Sequence, residues 1–270
     1  MPGTARVLSD TALSADGTRI VYDTCGSGPA VILVAGAMME RAHPTLAGVA
    51  DALAPWFTVC SYDRRGRGDS GDTAPYAVER EVEDLAAVMT AAGGSAMVFG
   101  GSSGAALALE AAVRLPGIAK LALWEPPYHV DDSAPALPDD FAAQLAALVE
   151  SGRRAEAAER FLVEAAEVPV GMVAGMRAQP FWAQVEAVAH TLAYEAAVLG
   201  PGNALPAGRI AAIRRPTLVL NGEDSPGWMR NAGAAVAAAV PGAVHRVLEE
   251  QAHDVAVTAL VPELLEFFAL

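Results

Sequence analysis

Short apolar runs alternate with helical patterns along most of this 270-residue chain. Residues 30–34 form a continuous apolar run, which is typical of a strand buried on both faces. Residues 77–92 have apolar positions at helical spacing, and similar strand and helix patterns recur toward residue 269. Strands that alternate with helices form parallel sheets covered on both faces. The chain is therefore predicted to adopt an α/β fold, which follows a hairpin over residues 6–24.

The alternation stops between about residues 127 and 209, where proline-broken helical patterns over residues 138–150, 153–167 and 180–199 contain no good strand candidate. Helices inserted between two sheet strands most simply form a cap. We predict a core of residues 1–126 and 210–270, with a helical cap of residues 127–209 inserted within one domain. Cap side chains above the carboxyl ends of the strands would shape a substrate pocket. The candidates for this pocket lining are Met38, His129, Met172, Met176, Phe181, Trp182 and Tyr194. The alternative for each is packing within the cap or beside it.

Charge and composition narrow the class of partner. The formal net charge of −14 would repel nucleic acid and anionic membranes, so a small-molecule substrate is expected. No apolar run is long enough to span a bilayer, and the first residues do not resemble a secretory signal. The two cysteines have no metal-ligand spacing. These features predict a soluble cytoplasmic protein without a bound metal.

A candidate nucleophile lies between an apolar run and a helical pattern, in the sequence Gly100-Gly101-Ser102-Ser103-Gly104. Small residues on either side of a serine allow a sharp strand-to-helix turn that exposes the hydroxyl. The same turn could instead bind an anion at a helix N-terminus. Ser103 could also be the central serine, but that register places Ala105 where Gly104 fits better. Ser102 is therefore the predicted nucleophile.

A serine nucleophile needs a base, and the base needs an orienting acid. His253 is the predicted base because it follows the last strand, at the same sheet edge as Ser102. Two carboxylates are candidates for the acid. Asp224 ends the preceding strand pattern and is preferred, while Glu125 follows the strand after the serine and remains the alternative. Ser102, Asp224 and His253 follow one another in the serine-acid-histidine order expected for this architecture.

Acyl transfer also requires donors for the developing oxyanion. Ser103 supplies one amide, and Ala37 in the loop after residues 30–34 is the predicted second donor, with its neighbour Met38 as the alternative. The charged loop of residues 63–70, Asp-Arg-Arg-Gly-Arg-Gly-Asp-Ser, could bind an anion, but its alternating charges favour a self-satisfied structural network.

These motifs, in this order, resemble those of the α/β-hydrolase superfamily, in its capped bacterial esterase, lactonase and cofactor-free haloperoxidase group. The resemblance rests on residues 34–37, 63–70, the serine turn, 216–224 and Ala252-His253. It implies the α/β-hydrolase fold, with a mostly parallel eight-stranded sheet, a Ser102, Asp224 and His253 triad, and no metal or organic cofactor. The usual His-Gly pair of the oxyanion loop is Ala35-Gly36 here, which leaves the hydrogen bonds of that loop open.

The predicted function is hydrolysis of a carboxylic ester, lactone or thioester of a mostly apolar small molecule. Cleavage of a carbon–carbon bond or peracid formation would use the same site. A serine at the turn disfavours the epoxide hydrolase and haloalkane dehalogenase branches, which resemble this fold but use aspartate. The alternative from another class is a ligand-binding or cyclase-like protein in which the triad is idle.

Overall fold

The computed structural model describes residues 7–269, which contain a single eight-stranded sheet in the order β1-β2-β4-β3-β5-β6-β7-β8. The strands are β1 (Leu8–Leu13), β2 (Arg19–Gly26), β3 (Ala30–Val34), β4 (Thr58–Tyr62), β5 (Ala96–Gly101), β6 (Ile118–Trp124), β7 (Thr217–Gly222) and β8 (Val244–Leu248). The hairpin strands β1 and β2 pair antiparallel, as do β2 and β4. All other pairs are parallel. The predicted fold class is confirmed.

Helices cover both faces of the sheet. The core helices are α1 (Pro44–Leu53), α2 (Val78–Ala91), α3 (Ser103–Arg114), α10 (Gly227–Ala239) and α11 (Val257–Ala269). Helices α1 and α11 pack on one face with Val31, Leu33 and Phe99 of the sheet. Helices α2, α3 and α10 pack on the other face with Ile32 and Val98. Successive residues of β3 and β5 thus enter opposite cores, which explains why both strands are apolar throughout.

Every element between β6 and β7 is helical apart from one isolated bridge between His129 and Ala204. The helices are α4 (Phe141–Glu150), α5 (Arg154–Arg160), α6 (Val170–Arg177), α7 (Trp182–Ala187), α8 (Leu192–Leu199) and α9 (Ala207–Ile210). A π-helical turn, Phe161–Ala165, follows α5, and 3₁₀ turns lie at Ala189–Thr191 and Pro201–Asn203. We call residues 127–209 the helical insertion. It has its own apolar core, centred on Leu145, Val173 and Leu192.

Several of the expected helix boundaries within the insertion differ from those in the structure. The patterns over residues 153–167 and 180–199 predicted two continuous helices, whereas the first ends in the π turn and the second is interrupted at the 3₁₀ turn before α8. Helix α6 was missed because Gly171 and Gly175 weaken its helical pattern, and only Val173 of its eight residues is buried. Among residues 7–269, no helix is long and apolar enough to cross a membrane.

Candidate active site

Ser102 occupies the sharp turn between β5 and α3. Its φ of 55° and ψ of −127° lie in a region that few side chains adopt. The turn is held by the Ser102 amide, which donates to the Trp124 carbonyl at 2.8 Å. A Cβ at residue 104 would collide with the carbonyl oxygens of Val34 and Ala35, so Gly104 is required where α3 crosses β3. This close approach supports the register with Ser102 at the centre of the turn.

His253 lies in the loop after β8 and contacts a buried carboxylate. Its Nδ1 atom is 2.7 Å from Oε2 of Glu125. An ionised carboxylate can only accept hydrogen bonds, so Nδ1 is the donor in this contact, and in the neutral ring Nε2 is the acceptor nitrogen. Trp124, next to Glu125, donates from its indole nitrogen to the His253 carbonyl at 3.0 Å. The end of β6 thus fixes both the backbone and the imidazole ring of His253.

Glu125 is fully buried and lies in a tight backbone bend with a φ of 46°. The Gly222 amide donates to its Oε1 atom at 2.8 Å. Although burial opposes ionisation, the hydrogen bonds from His253 and from this amide hold the pKa of Glu125 below its usual value of 4.5. Asn221 also points its amide nitrogen toward Oε1, at 3.5 Å, and its amide oxygen lies 2.8 Å from Nε2 of His245. Glu125 is therefore a charged acceptor held by two strands.

The preference for Asp224 over Glu125 is wrong in this structure. The Asp224 side chain is exposed, and only its backbone amide is held, by the Gln251 carbonyl at 2.9 Å. One residue, Glu223, separates it from the end of β7, and the turn leaves its side chain exposed to solvent. Glu125 comes directly after β6, and its left-handed backbone directs the carboxylate across β7 toward His253.

The two predicted oxyanion donors lie together. Ala37 and Ser103 line a common cavity with Ser102 and His253. Ser103 is the first residue of α3, and the first amides of a helix have no partner within it. Met38, the alternative to Ala37, also lines this cavity and has a φ of 61°. Ala37 and Ser103 therefore border the same cavity as Ser102.

Two buried arginines hold the loop that contains Ala37. Arg64 donates to the Ala35 carbonyl at 3.1 Å, and Arg67 donates to the Gly36 carbonyl at 2.7 Å. Both arginines also contact Glu195 of α8 in the helical insertion. These contacts hold the backbone carbonyls of Ala35 and Gly36, which stand in place of the usual His-Gly pair.

The charged loop of residues 63–70 is a structural network, as expected, but it is not self-satisfied. Its partners come from other elements: Arg64 pairs with Glu81 at 2.6 Å, and Arg65 pairs with Asp84 at 2.7 Å. Both acids lie on α2 and are buried. Sequence reasoning missed these partners because they are brought to the loop only by the packing of α2 on the sheet.

Two cavities meet at Ser102. One, of about 220 Å³, extends into the apolar core beneath α1 and is lined by Phe99, Trp124 and Leu260. The other, of about 260 Å³, lies under the helical insertion and is lined by Phe161, Leu162, Ala165, Leu199, Asn203 and Trp228. Ser102, His253, Gly36 and Met39 line both. Part of the second lining comes from the π turn, a feature that is frequent at functional sites.

Of the predicted pocket residues, only Met38 lines a cavity that reaches Ser102. Met172 is exposed on α6, Met176 packs on the core of the insertion, and Trp182 is buried in that core. Phe181 lines a separate open groove of about 510 Å³, together with Met38 and His43. These side chains were misplaced because the helical pattern does not show which face of each insertion helix meets the sheet.

The remaining candidates lie beside the site. Tyr194 stacks on Tyr76 at 3.8 Å between ring centres and donates to Asp72 at 2.9 Å, so it joins the insertion to the core. His129 is half-buried and packs edge-on against Trp228, with 5.3 Å between ring centres. Burial lowers the pKa of His129, so its ring is neutral near neutral pH. Among the described residues, no cluster of three or more His, Cys, Asp or Glu side chains is placed to hold a metal.

Known proteins to which this chain is similar are described as hydrolases. The profile described as "Alpha/beta hydrolase family" matches residues 31–259. A crystal structure of an alpha/beta hydrolase from Sphaerobacter thermophilus DSM 20745 is 52% identical, with a TM-score of 0.89, over 96% of this chain and all of that one. A hydrolase structure from Pseudomonas aeruginosa PA01 is 23% identical, with a TM-score of 0.73 over the whole of both chains, and shows the fold alone.

A curated relative, the uncharacterized hydrolase YraK of Bacillus subtilis (strain 168), is 35% identical over 115 residues. That match spans 40% of this chain and 41% of the relative's length.

Proposed function

Since this chain belongs to the alpha/beta hydrolase family, we propose that it is a serine hydrolase that cleaves an ester, lactone or thioester through an acyl-enzyme on Ser102. The observation that carries the proposal is the hydrogen bond from His253 to Glu125, at 2.7 Å. It leaves Nε2 of His253 unprotonated at the edge of the cavities that Ser102 lines. Apolar side chains dominate both cavities, so the substrate is a mostly apolar small molecule.

In the first half of the reaction, Ser102 Oγ attacks the substrate carbonyl while His253 Nε2 accepts the hydroxyl proton. The carbonyl oxygen gains the charge, and the amides of Ala37 and Ser103 stabilise it. Glu125 stabilises the imidazolium that forms. The tetrahedral intermediate then collapses, the carbon–oxygen or carbon–sulfur bond breaks, and the leaving group takes the proton from His253.

In the second half, water replaces the leaving group. His253 Nε2 accepts a proton from the water as its oxygen attacks the acyl carbon, and the same proton then passes to Ser102 Oγ as the ester bond breaks. The products are the carboxylic acid and the free enzyme. The strained turn at Ser102 and the fixed tautomer of His253 mean that little reorganisation precedes either attack.

Pre-steady-state hydrolysis of p-nitrophenyl acetate tests the proposal. We expect a burst of nitrophenol equal to the enzyme concentration, followed by slower turnover. Ser102→Ala should remove the burst. Ser103→Ala keeps the backbone amide and should retain the burst, which also separates the two registers of the turn. A burst that survives in Ser102→Ala and is lost in Ser103→Ala would overturn the assignment of the nucleophile.

A further inference from the structure

The cavity under the helical insertion contains two buried polar side chains that the reaction does not use. Asn203 is 4% exposed and Ser103 is 2% exposed, and both line this cavity. The Ser103 hydroxyl has no hydrogen-bond partner among the described residues. Burial of a polar group without a partner is unfavourable, so such groups call for an explanation.

The backbone of Asn203 does not explain why its side chain is buried in the cavity. Its amide donates to the Gly200 carbonyl at 3.0 Å, and its carbonyl accepts from the His129 amide at 2.8 Å. Its φ of 53° is left-handed, a conformation that favours glycine or asparagine but does not require the side chain to lie in the cavity. Its side chain lines the cavity, and an asparagine amide offers two donors and one acceptor. The side chain is available to a ligand in the cavity.

The rest of this cavity limits the ligand chemistry. Within the described part of the chain, its lining contains no lysine, arginine, aspartate or glutamate. Trp228 lines the cavity, but its indole nitrogen already donates to Glu167. A ligand carboxylate here would lose its hydration without gaining a cation. A neutral oxygen needs only the donors that Asn203 and Ser103 present.

We propose that Asn203 and Ser103 form a polar subsite that binds a neutral keto or hydroxyl oxygen on the arm of the substrate lying under the helical insertion. This inference rests on the proposed function, because the arm is part of the molecule that Ser102 attacks. It names the substrate class as small esters, lactones or thioesters that carry one neutral oxygen in an otherwise apolar chain. At about 260 Å³, the cavity has the liquid volume of roughly nine water molecules, so the arm is short.

Two series of matched esters test the subsite. The acyl series is ethyl pentanoate, ethyl 4-oxopentanoate and the monoethyl ester of succinate. The alcohol series is pentyl acetate, 4-oxopentyl acetate and 4-acetoxybutanoate. In one of the two series we expect the keto ester to exceed the apolar ester by roughly tenfold in kcat/KM, the size of effect of one neutral hydrogen bond. The carboxylate ester of that series should be slower than both.

Substitutions test whether Asn203 and Ser103 produce the preference for the keto ester. Asn203→Gly keeps the left-handed backbone and removes the side chain, and Asn203→Asp keeps the shape but loses the donors. Both should bring the keto-to-apolar ratio close to one, and Ser103→Ala should reduce it in part. Asn231→Ala, at an exposed position on α10, should leave the ratio unchanged.

Labelling of Ser102 by a fluorophosphonate separates failure of the subsite from failure of the proposed function. If the label reacts in the wild type and the variants but the ratio is near one in both series, or is unchanged in both Asn203 variants, the subsite is wrong. If the wild-type serine does not react, the proposed function itself fails. Labelling that persists in the Asn203 variants shows that they fold.

Discussion

The orientation of one carboxylate depends on a single backbone bend. Glu125 has a φ of 46°, and this conformation points its side chain across β7 to His253 rather than back over β6. The sequence patterns favoured Asp224 as the acid, with Glu125 as the alternative. Glu125 stands between Trp124 and Pro126, whereas Asp224 lies in a polar turn. Which carboxylate reaches His253 depends on backbone dihedral angles, and the local sequence around Glu125 or Asp224 does not encode them.

Substitution of Glu125 and of Asp224 by the corresponding amide tests which of the two carboxylates orients His253. Glu125→Gln should lower kcat by on the order of a thousandfold or more, because an amide can stabilise neither the His253 imidazolium nor its tautomer. Asp224→Asn is the matched control and should retain kcat within about twofold, since surface substitutions rarely perturb a distant site. Steady-state hydrolysis of p-nitrophenyl acetate measures both. The reverse order of effects would restore Asp224 as the acid.

Glu125 should also make folding stability depend on pH. Its pKa lies below 4.5 in the folded protein, so the unfolded chain binds the proton more readily. The stability that ionised Glu125 contributes is therefore present above pH 4.5 and is lost as the pH falls through the folded pKa. Urea unfolding of wild type and Glu125→Gln at pH 7 and pH 4 should show the difference between them shrinking at the lower pH. A difference that grows on acidification would mean that Glu125 has a raised pKa.

At the scale of elements, the loop after β4 joins the oxyanion loop to the helical insertion. Arg64 and Arg67 bind the carbonyls of Ala35 and Gly36 and meet Glu195 of α8. The sequence indicated a structural role for this loop, and its charges are satisfied within the fold. It did not indicate Glu195, which lies 131 residues from Arg64 along the chain. Contacts at such separations follow from topology rather than from local pattern.

Removal of the Glu195 side chain should lower the free energy of unfolding. Glu195→Ala leaves two buried guanidinium groups without a shared partner and should reduce the free energy of unfolding by about 3 kcal/mol or more. Glu164→Ala is the control on the same insertion, because Glu164 forms a partly exposed pair with Arg160 and should change stability by less than about 1 kcal/mol. Urea denaturation followed by circular dichroism measures both. Equal effects of the two substitutions would refute a central role for the buried network.

For the whole molecule, the alternation of apolar runs and helices was enough to predict a doubly covered, mostly parallel sheet. The continuous apolar run of β3 predicted that both of its faces are buried, which the two cores on either side of the sheet bear out. The crossing of α3 over β3 at Gly104 appears only in the structure. The insertion was recognised by the break in alternation. The side chains of the insertion that line the cavity were not predicted. Phe161 and Leu162 line it from a π turn, whose side-chain spacing differs from the α-helical repeat.

The overall charge should influence substrate choice. A net charge of −14 repels anionic substrates during encounter, and salt screens this repulsion. Between about 10 mM and 500 mM NaCl, kcat/KM for the monoethyl ester of succinate should rise, while that for ethyl pentanoate should stay nearly constant. Parallel salt profiles for the two esters would show that the acidic surface has no part in selection.

The account depends most on acylation of Ser102. The direct measurement is mass spectrometry of the intact protein and its peptides after reaction with a fluorophosphonate. We expect one label per chain, on Ser102, with labelling abolished in Ser102→Ala and slowed in Glu125→Gln. Folded protein that remains unlabelled, or carries the label on another residue, would contradict the proposed serine hydrolase.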